Sequence, residues 1–597
     1  ATGWVANANA GNAAIYKSTN FGLNWNLLTT GIPGTGTVQR VKLAIAPSDP
    51  NYVYAITTDL FGGLHGIYKT INAGTNWTYI APALNILEWD EGFNNGGQGT
   101  YDVGAVVSQS NRDVIYVGGI NLWGSTDGGN NFDPASHWTL SYGPTVHADI
   151  HFLAQQPVSG NMFLCCDGGL YRTANIVTQT WASAQSNNPW PTNWVNISND
   201  MQVTSFYRVS SSRNGSGRLA AGSQDNAIFY YDNATWSTLF GGDGMDNYLD
   251  PLDDDMVIGS SQYGGFSRSF DDGVTNWGMN PNVNGENGEW TTPIIGDYNI
   301  PGALYVGFEN VMKSSDNGDN WTAISSFPVV NTNCELSALA VSNSNSNSLL
   351  AAKRIRYEAN EPSRLFRTIN GGGLWTDITS GLPDSLYYTS VEISENDANT
   401  IYVTMAGFST GNKVFRSING GTNWTNISYN LPNIPVNCIK YVPGGSGDVM
   451  IGTDIGVYVL TSTSSTWVNQ SLGLPNVIVS DIDFNVTLNR IYVSTFGRGI
   501  WATDLDVFTQ VQNSVVAPVT MNLFPSPNHG NFTVTMSGEN ATEEYSLEII
   551  DVMGRVAHTQ SLSGSSSYNV HFTGTSGMYY AHFKGKNYSG VKSFVVE

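Results

Sequence analysis

Short runs of apolar residues that alternate with polar ones, each bounded by turn-forming residues, extend over most of the chain. Examples are residues 53–56, 114–117 and 401–404, which are rich in β-branched and aromatic side chains. A period of two in such runs predicts short β-strands. We find no amphipathic helix of useful length. The pattern therefore predicts an all-β protein.

A phrase of the form Ser/Thr-x-Asp/Asn-x-Gly-x-x-Trp/Phe recurs within this pattern. Copies begin at residues 18, 70, 125, 314, 368 and 417, a variant with one inserted residue begins at 269, and weaker echoes lie near 171, 230 and 460. A repeat of about 50 residues suits a four-stranded antiparallel sheet, the unit of a β-propeller. The phrase predicts a hairpin turn in which Gly takes a positive φ, the Asp or Asn side chain accepts amide hydrogen bonds, and the aromatic ring wedges between sheets. Its Asp or Asn residues are Asn20, Asn72, Asp127, Asp271, Asp316, Asn370 and Asn419.

This phrase resembles the Asp-box, or BNR repeat, of sialidases, xyloglucanase-type glycoside hydrolases and the sortilin luminal domain. The resemblance implies a propeller but no particular chemistry, because these boxes lie at the rim. Counting strong and weak copies, residues 1–506 are expected to form about ten blades. A single sortilin-like ring of ten blades is the first prediction, and one seven-bladed ring plus part of a second is the alternative.

The C-terminal region has a different sequence pattern, without the repeated phrase. Residues 507–519 read as a linker, and residues 520–597 combine alternating strands with Gly and Pro turns, which predicts a small β-sandwich. Three motifs follow in order, Pro-x-Pro-x-x-Gly-x-Phe, Asp-x-x-Gly-Arg and Gly-x-Tyr. They are formed by Pro525, Pro527, Gly530, Phe532, Asp551, Gly554, Arg555, Gly577 and Tyr579.

These motifs resemble the type A sorting domain of the Bacteroidota type IX secretion system, with Ser526 where the family usually has Asn. An accessory sugar-binding sandwich is the alternative. The resemblance implies export to the cell surface or the medium through the translocon, its shuttle protein and a sortase. The chain opens at Ala1 without an initiator Met or a signal segment, which suggests a processed or truncated product.

The charge balance narrows the range of partners. The chain carries 25 Lys and Arg against 48 Asp and Glu, a net charge of −23. Such a surface repels phosphate backbones and anionic headgroups, so nucleic acid and membrane surfaces are poor ligands. No apolar run is long enough to span a bilayer. With 41% hydrophobic residues the chain can still bury a large core.

Metal and thiol chemistry find little support. The four cysteines show no CxxC spacing, and the adjacent Cys165 and Cys166 are predicted to be buried strand residues. The acidic stretch at residues 250–255 lacks the Gly and Glu of a calcium loop and predicts a solvated hairpin. We expect that no cofactor is required and assign no metal site, with calcium or another divalent cation as the alternative.

The most suggestive polar segment runs from His147 through Asp149 to His151. Alternation in a strand would place all three side chains on one face. Together with Asp167, Gln224, Asp225 and Asp243 they can line the propeller mouth and bind sugar or a cation. Such residues are also ordinary turn formers or satisfied core donors. The surrounding phrases resemble uncharacterised Bacteroidota surface propellers that are often labelled as glycosyl hydrolases.

Enzymatic activity is left open, with a non-enzymatic protein favoured. A glycosidase needs two carboxylates about 5 to 9.5 Å apart, which Asp149, Asp167, Asp225 and Asp243 can supply. A sialidase is disfavoured because no Arg-Ile-Pro phrase occurs near the N-terminus. A xyloglucanase-like enzyme fits better, since neutral glucans suit aromatic platforms. Candidate platforms, although such tryptophans more often belong to the core, are Trp4, Trp123, Trp190, Trp194 and Trp290.

Three functional hypotheses follow. The first is a secreted or surface-attached propeller that binds a polysaccharide or a surface protein. The second is a glycoside hydrolase that acts on a neutral polysaccharide, and the third is a structural component of a surface layer. Convergence of two of the four aspartates within about 10 Å in an open cleft would favour hydrolysis over binding alone.

Overall fold

The computed structural model describes residues 3–7, 13–33, 36–139, 145–178, 193–232, 234–251, 253–444, 447–471, 473–505, 520–537, 544–551, 555–563, 565–585 and 589–597. The predicted linker lies outside these residues. The chain divides into two compact units, Ala1–Asp506 and Val507–Glu597. Apart from two 3-10 helices, Gln262–Gly264 and Tyr357–Ala359, the described elements are β-strands. Among the described residues, no helix is long and apolar enough to cross a membrane.

The described part of the first unit contains eleven antiparallel sheets, numbered here in chain order. Sheets 1 to 4 are formed by β1 (Gly3–Asn7), β2 (Ala14–Ser18) and β3 (Asn26–Leu27); β4 (Arg40–Ile45), β5 (Val53–Thr58), β6 (Leu64–Thr70) and β7 (Thr78–Ile80); β8 (Gly104–Val107), β9 (Ile115–Gly118), β10 (Leu122–Ser125) and β11 (Asp133–Ser136); and β12 (Ile150–Gln155), β13 (Met162–Cys166), β14 (Gly169–Thr173) and β15 (Val195–Asn196).

Sheets 5 to 8 are formed by β16 (Phe206–Ser211), β17 (Leu219–Ser223), β18 (Ile228–Asp232) and β19 (Thr235–Thr238); β20 (Asn247–Leu249), β21 (Val257–Ser261), β22 (Gly265–Ser269) and β23 (Trp277–Met279); β24 (Ile294–Gly296), β25 (Leu304–Gly307), β26 (Val311–Ser314) and β27 (Thr322–Ala323); and β28 (Leu336–Ser342), β29 (Asn345–Lys353), β30 (Arg364–Thr368) and β31 (Trp375–Asp377). Sheets 9 to 11 are formed by β32 (Tyr388–Ile393), β33 (Ile401–Met405), β34 (Val414–Ser417) and β35 (Thr425–Asn426); β36 (Val436–Tyr441), β37 (Val449–Thr453), β38 (Gly456–Leu460) and β39 (Val468–Asn469); and β40 (Val479–Asn485), β41 (Arg490–Thr495) and β42 (Ile500–Asp504).

Sheets 5 to 11 close into a ring of seven. Their first strands line a central channel and pack each on the next, and β40 packs back on β16. The Asp483 carboxylate accepts a hydrogen bond from the Ser211 amide at 2.7 Å, and the Asn485 side chain donates to the Ser212 carbonyl at 2.6 Å. These bonds seal the junction between the first and last sheets of the ring.

Sheets 1 to 4 pack in succession through β1, β4, β8 and β12 and are not members of that ring. The propeller class is therefore confirmed. The arrangement is the predicted alternative, a seven-bladed ring plus part of a second propeller, and not a single ring of ten. Closure after seven sheets is the physical reason, because β40 already occupies the flank of β16 that an earlier sheet would need.

The repeated phrase forms the same turn in all seven copies. Each copy begins at the last residue of the strand that precedes the final strand of its sheet, and the weaker echoes hold the same position in sheets 4, 5 and 10. The Ser or Thr hydroxyl donates to the Asp or Asn Oδ1 at 2.7–3.0 Å and accepts the Gly amide at 2.8–3.1 Å. The glycines have φ values from 82° to 100°, which L side chains rarely adopt.

The prediction that the aromatic residue of the phrase inserts between neighbouring sheets is confirmed for some sheets of the ring. The indole nitrogens of Trp375, Trp424 and Trp467 donate to main-chain carbonyls of the preceding sheet, at 2.7–2.9 Å. The prediction is wrong for Trp25 and Trp277, whose side chains are 41% and 60% exposed. The phrase thus fixes the turn in every copy, whereas the wedge depends on the neighbouring sheet.

The second unit contains two sheets. One is formed by β43 (Thr520–Phe524), β44 (Asn531–Ser537) and β47 (Ser567–His571), and the other by β45 (Tyr545–Asp551), β46 (Val556–Leu562), β48 (Gly577–Gly585) and β49 (Ser589–Val596). Apolar residues of both sheets, among them Phe532, Leu547 and Phe594, form one buried core. This is the small β-sandwich that the alternation predicts.

The motif residues of this unit have structural roles. Phe532 and Tyr579 are buried in the core, and the Arg555 guanidinium pairs with the Asp551 carboxylate at 2.8 Å. Gly530 has a φ of 86°, and a Cβ there would lie 2.1 Å from the Phe572 carbonyl oxygen. Gly554 lies outside the described residues.

Candidate functional site

Three turns from two neighbouring sheets meet at one place. Asp167 lies in the turn between β13 and β14 of sheet 4, and Asp225 lies in the turn between β17 and β18 of sheet 5. Asp243 follows sheet 5 and pairs with Ala227 in an isolated bridge. The Asn226 side chain donates to the Asp167 carbonyl at 3.1 Å, which ties the two sheets together. The site therefore joins the partial propeller to the closed ring.

The Asp167 carboxylate is held by two donors. Tyr101 Oη donates to Oδ2 at 2.8 Å, and His151 Nε2 lies 2.7 Å from Oδ1. Burial acts to raise the pKa of Asp167, but the hydrogen bonds from His151 and Tyr101 outweigh it and the pKa is lowered. The same hydrogen bond raises the pKa of His151. At neutral pH Asp167 is therefore ionised.

Asp225 lies between two other carboxyl groups. Its amide donates to Asp243 Oδ1 at 2.8 Å, and its carboxyl group lies next to those of Asp167 and Asp243. Burial, and then the negative charges of Asp167 and Asp243, together raise the pKa of Asp225 to about 7. Its φ of 60° is unusual for a residue with a side chain. Two carboxyl groups in contact thus have pKa values shifted in opposite directions.

The segment that contains His147, Asp149 and His151 departs from the prediction. Strand β12 begins only at Ile150, Asp149 has a φ of 66°, and a bulge follows at His151, so the three residues do not alternate on one strand face. They reach the site separately. His147 Nε2 contacts the Asp225 carbonyl at 2.8 Å, and Asp149 accepts a hydrogen bond from Gln98 at 2.9 Å. Burial and then the Asp167 charge raise the pKa of Asp149.

Several residues of the site had no role assigned from the sequence. Tyr101 and Gln98 belong to the loop before sheet 3 and reach Asp167 and Asp149 across the fold. Asp102, from the same loop, is fully buried, and neither carboxylate oxygen has a hydrogen-bond partner. Burial raises the pKa of Asp102 to about 8. Nothing in the sequence of residues 97–102 indicates which sheet these side chains face.

The cluster opens into a cavity of about 690 Å³. Its polar walls include Tyr101, Asp167, Gln224, Asp225 and Asn226, and Phe229 and Phe496 supply apolar surface. The lining that the structure describes contains no Lys or Arg. Cys165 and Cys166 lie on a strand, as predicted, but the prediction that they are buried is wrong, since both are half-buried and Cys166 lines this cavity.

The metal expectations gain no support. Within the described ranges, no group of three or more His, Cys, Asp or Glu side chains is arranged to hold a metal ion. In the acidic stretch at residues 250–255, the carboxylates of Asp254 and Asp255 pair with Arg218 at 3.2 and 2.6 Å. The divalent cation stays a prediction.

The tryptophans proposed as sugar platforms divide into three groups. Trp123 and Trp194 are buried and belong to the core. Trp290 is half-buried and lines a second cavity, beside the first. The side chains of Trp4 and Trp190 lie outside the described residues. Trp290 alone of these five is placed where a ligand can reach it within the described structure.

Comparison with known proteins identifies the second unit. Residues 522–597 match the family described as "Secretion system C-terminal sorting domain". The chain thus ends in a type IX sorting domain, which marks it as a secreted or outer-surface protein that interacts with the type IX secretion machinery. No curated protein matches the chain in sequence.

Several solved structures show similarity to this chain. The GH74 xyloglucanase from Xanthomonas campestris is 16% identical with a TM-score of 0.52, over 84% of this chain and 71% of that one. The Niastella koreensis GH74 enzyme is 15% identical with a TM-score of 0.24, over 85% and 96%. YCF48 from Cyanidioschyzon merolae is 13% identical with a TM-score of 0.38, over 51% and 96%. Of these three, the similarity to the Xanthomonas campestris xyloglucanase indicates a shared fold. At 16% identity it does not indicate a shared activity.

Proposed function

We propose that this secreted protein binds a neutral glycan at the junction of sheets 4 and 5 and hydrolyses a glycosidic bond there. The observation that carries the proposal is the contact between Asp167 and Asp225, two carboxyl groups with opposite pKa shifts that face one cavity. Environments that push two carboxyl pKa values apart are the usual origin of an acid and base pair. Convergence of the aspartates favours this function over binding alone.

The roles follow from the protonation states. Asp225, whose pKa is raised, keeps its proton near neutral pH and donates it to the leaving glycosidic oxygen. Asp167 is ionised and takes the proton of the water that attacks the anomeric carbon. His151 and Tyr101 hold Asp167 in place through their hydrogen bonds. Because both hydrolytic geometries need carboxyl groups at least about 5 Å apart, the glycan must enter between Asp167 and Asp225 and separate them.

The substrate class follows from charge. The cavity lining has several carboxyl groups and no described Lys or Arg, and the whole chain carries a net charge of −23. Anionic sugars are repelled by such a field, whereas neutral sugars are not. The fold likeness to a xyloglucanase makes xyloglucan one reasonable member of a neutral-glycan panel.

The test is reducing-end release and binding by the full chain on such a panel, with Asp225→Asn and Asp167→Asn variants. We expect each variant to lower kcat at least 100-fold while glycan binding persists, because proton transfer contributes about 10²–10⁴-fold. Asp316→Asn is the matched control, since four other copies of the same turn already carry Asn at that position, and its release rate should equal that of the wild type. Equal rates in all four proteins would refute the proposed chemistry.

A second candidate is recognition without hydrolysis. It applies if Asp167 and Asp225 stay together when a glycan binds, because a closed pair leaves no place for a glycosidic oxygen. In that case the wild type binds a glycan in the panel and releases no reducing ends. Binding then weakens in the Asp167→Asn variant without any change in turnover.

The sorting domain extends the proposal to partners. We infer that the translocon, its shuttle protein and a sortase recognise residues 522–597, and that the source is a member of the Bacteroidota. Replacement of the last residues of β49 by a shuffled sequence should retain the protein inside the cell, as measured by its distribution between periplasm and medium.

A further inference from the structure

A second cavity lies at one entrance of the seven-sheet ring. It has a volume of about 280 Å³, and its walls come from the beginnings of the innermost strands, including Tyr207, Tyr387 and Asn437, and from Glu289, Trp290 and Phe496. Phe496 also lines the aspartate cavity, so the two cavities share a wall. A ligand that leaves the aspartates along this wall therefore meets Trp290.

A chain of hydrogen bonds connects this entrance with the aspartate cluster. Trp290 Nε1 donates to Tyr207 Oη at 3.1 Å, and Tyr207 Oη donates to Gln224 Oε1 at 3.1 Å. Gln224 directly precedes Asp225. The orientation of the indole ring is thus fixed by the same turn that carries the proposed proton donor.

The Trp290 ring is also supported by a strained neighbour. Tyr263 packs edge-on against it, with 5.2 Å between ring centres and 84° between ring planes. Tyr263 has a φ of 60°, its side chain is 62% exposed, and a Cβ at Gly288 would lie 2.4 Å from its carbonyl oxygen. Backbone strain that positions an exposed aromatic ring is typical of a binding surface and not of a core.

The charges at the entrance are balanced. The charged residues that line this cavity are Arg208 and Glu289. Glu289 pairs with the Arg354 guanidinium at 2.5 Å. The Arg208 guanidinium donates to the Tyr207 and Ser480 carbonyls at 3.3 and 3.1 Å. An aromatic wall with paired charges and amide groups suits a neutral polar ligand with hydroxyl groups and an apolar ring face, which describes a pyranose. A charged ligand would have to break these pairs.

We propose that the ring entrance is a subsite that binds one sugar unit of a neutral glycan against Trp290, while Asp225 acts on a linkage further along the same chain. The inference rests on the proposed function and adds a length requirement to it. Oligosaccharides long enough to reach Trp290 bind through both cavities, whereas shorter ones occupy the aspartate cavity alone.

The test measures the affinity of a series of neutral oligosaccharides of increasing length for the full chain, in the Asp225→Asn background so that hydrolysis does not interfere. Trp290→Ala should weaken binding of the longest members about tenfold and leave the shortest unchanged, and Trp290→Phe should restore most of the loss. Trp277→Ala is the control, because this tryptophan is exposed on the last strand of sheet 6, and it should have no effect. Equal melting temperatures of the variants establish that the fold is intact.

The outcomes separate the two proposals. An affinity that is independent of Trp290 at every length, or lowered equally at all lengths, refutes the subsite while leaving the proposed hydrolysis in place. Length-dependent loss of affinity in Trp290→Ala, together with normal turnover of short substrates by a Trp290→Ala variant that retains Asp225, supports it. A wild type that binds no neutral glycan of any length overturns both proposals.

Discussion

At the scale of single residues, the site is set by which partner each carboxyl group meets. Asp167 and Asp225 are the same residue type in contact with each other, yet hydrogen-bond donors surround one and carboxylates flank the other. Donors favour the ionised form and neighbouring negative charges disfavour it. The division of roles between the two aspartates is therefore a property of His151, Tyr101 and Asp243 as much as of the aspartates themselves.

This division predicts the pH dependence of both activity and stability. Release of reducing ends should fall as pH rises through about 7, because Asp225, with a pKa raised to about 7, then loses the proton it must donate. Its pKa in the folded state lies above the unfolded value of about 3.9, so ionisation costs the folded state stability as pH rises from about 4 to about 7. The measurement is a pH profile of kcat/KM, with melting temperatures over the same range.

The control for this prediction is Asp225→Asn, which cannot ionise. Its melting temperature should fall less between pH 4 and pH 7 than that of the wild type. Because Asp167 and Asp225 interact, the profile reports pKa values of the pair and not of one residue. An activity that rises through pH 7 would contradict the assignment of Asp225 as proton donor.

At the scale of elements, the repeated turn is the part of the fold that the sequence predicts best. Its bonds all lie within five residues, so the phrase contains every group that the turn needs. The glycine of this turn supplies a positive φ and also allows close contact with the preceding sheet. A glycine elsewhere that has only the positive φ allows the two effects to be separated. Gly421 has a φ of 90°, and a Cβ there would lie 2.6 Å from Ile378 Cδ1 of the preceding sheet, whereas Gly407 has a φ of 78° with open space around it.

We predict that Gly407→Ala lowers the free energy of unfolding by about 1–2 kcal/mol, the cost of a left-handed conformation. Gly421→Ala should cost at least a further ~1 kcal/mol, because the added methyl group overpacks the contact between sheets 8 and 9. Urea unfolding of the two variants measures the difference. Equal losses would mean that the glycine is required for its backbone conformation alone.

Elements that depend on distant partners were predicted less well. Alternation suggested a strand through His147 and Asp149, but the contact of His147 with the Asp225 carbonyl, 78 residues away, replaces strand geometry there. Asp149, Asp167, Asp225 and Asp243 were selected as acidic residues near turns, and the structure brings them together. Their partners Tyr101 and Gln98 could not be assigned, because a side chain's neighbours in another sheet leave no periodic signal in sequence.

At the scale of the whole molecule, ring closure is a long-range event that repeat counting cannot reveal. Ten copies of one phrase are compatible with one ring or with two, because the phrase lies at the outer strands while closure occurs at the inner ones. The fit of β40 to β16 decides between one ring and two, and the hydrogen-bonded residues of these strands are 272 positions apart in the chain. The carboxylates of Asp481 and Asp483 make this junction by accepting amides of β16.

This junction should be the weakest seam of the ring. Its two sheets are the first and the last of the ring, so no short loop of the chain connects them, as one does between the other neighbouring sheets. Asp483→Ala removes the acceptor for both the amide and the hydroxyl of Ser211, at 2.7 and 2.8 Å. Hydrogen bonds to charged groups contribute about 1.5–3 kcal/mol, so local opening of β16 and β40 should become at least tenfold more frequent. Hydrogen exchange of their amides measures this opening, because exchange reports sub-global unfolding element by element.

The matched control is Asp448→Ala, which also removes a carboxylate that accepts a main-chain amide, that of Ser462 at 2.8 Å, but within sheet 10. Exchange should then rise in sheet 10 and stay unchanged in β16 and β40. If both variants accelerated exchange equally in all seven sheets, the ring would open as one cooperative unit and the junction would not be a seam. A selective effect of Asp483→Ala would instead show that closure of the ring is a step independent of the folding of each sheet.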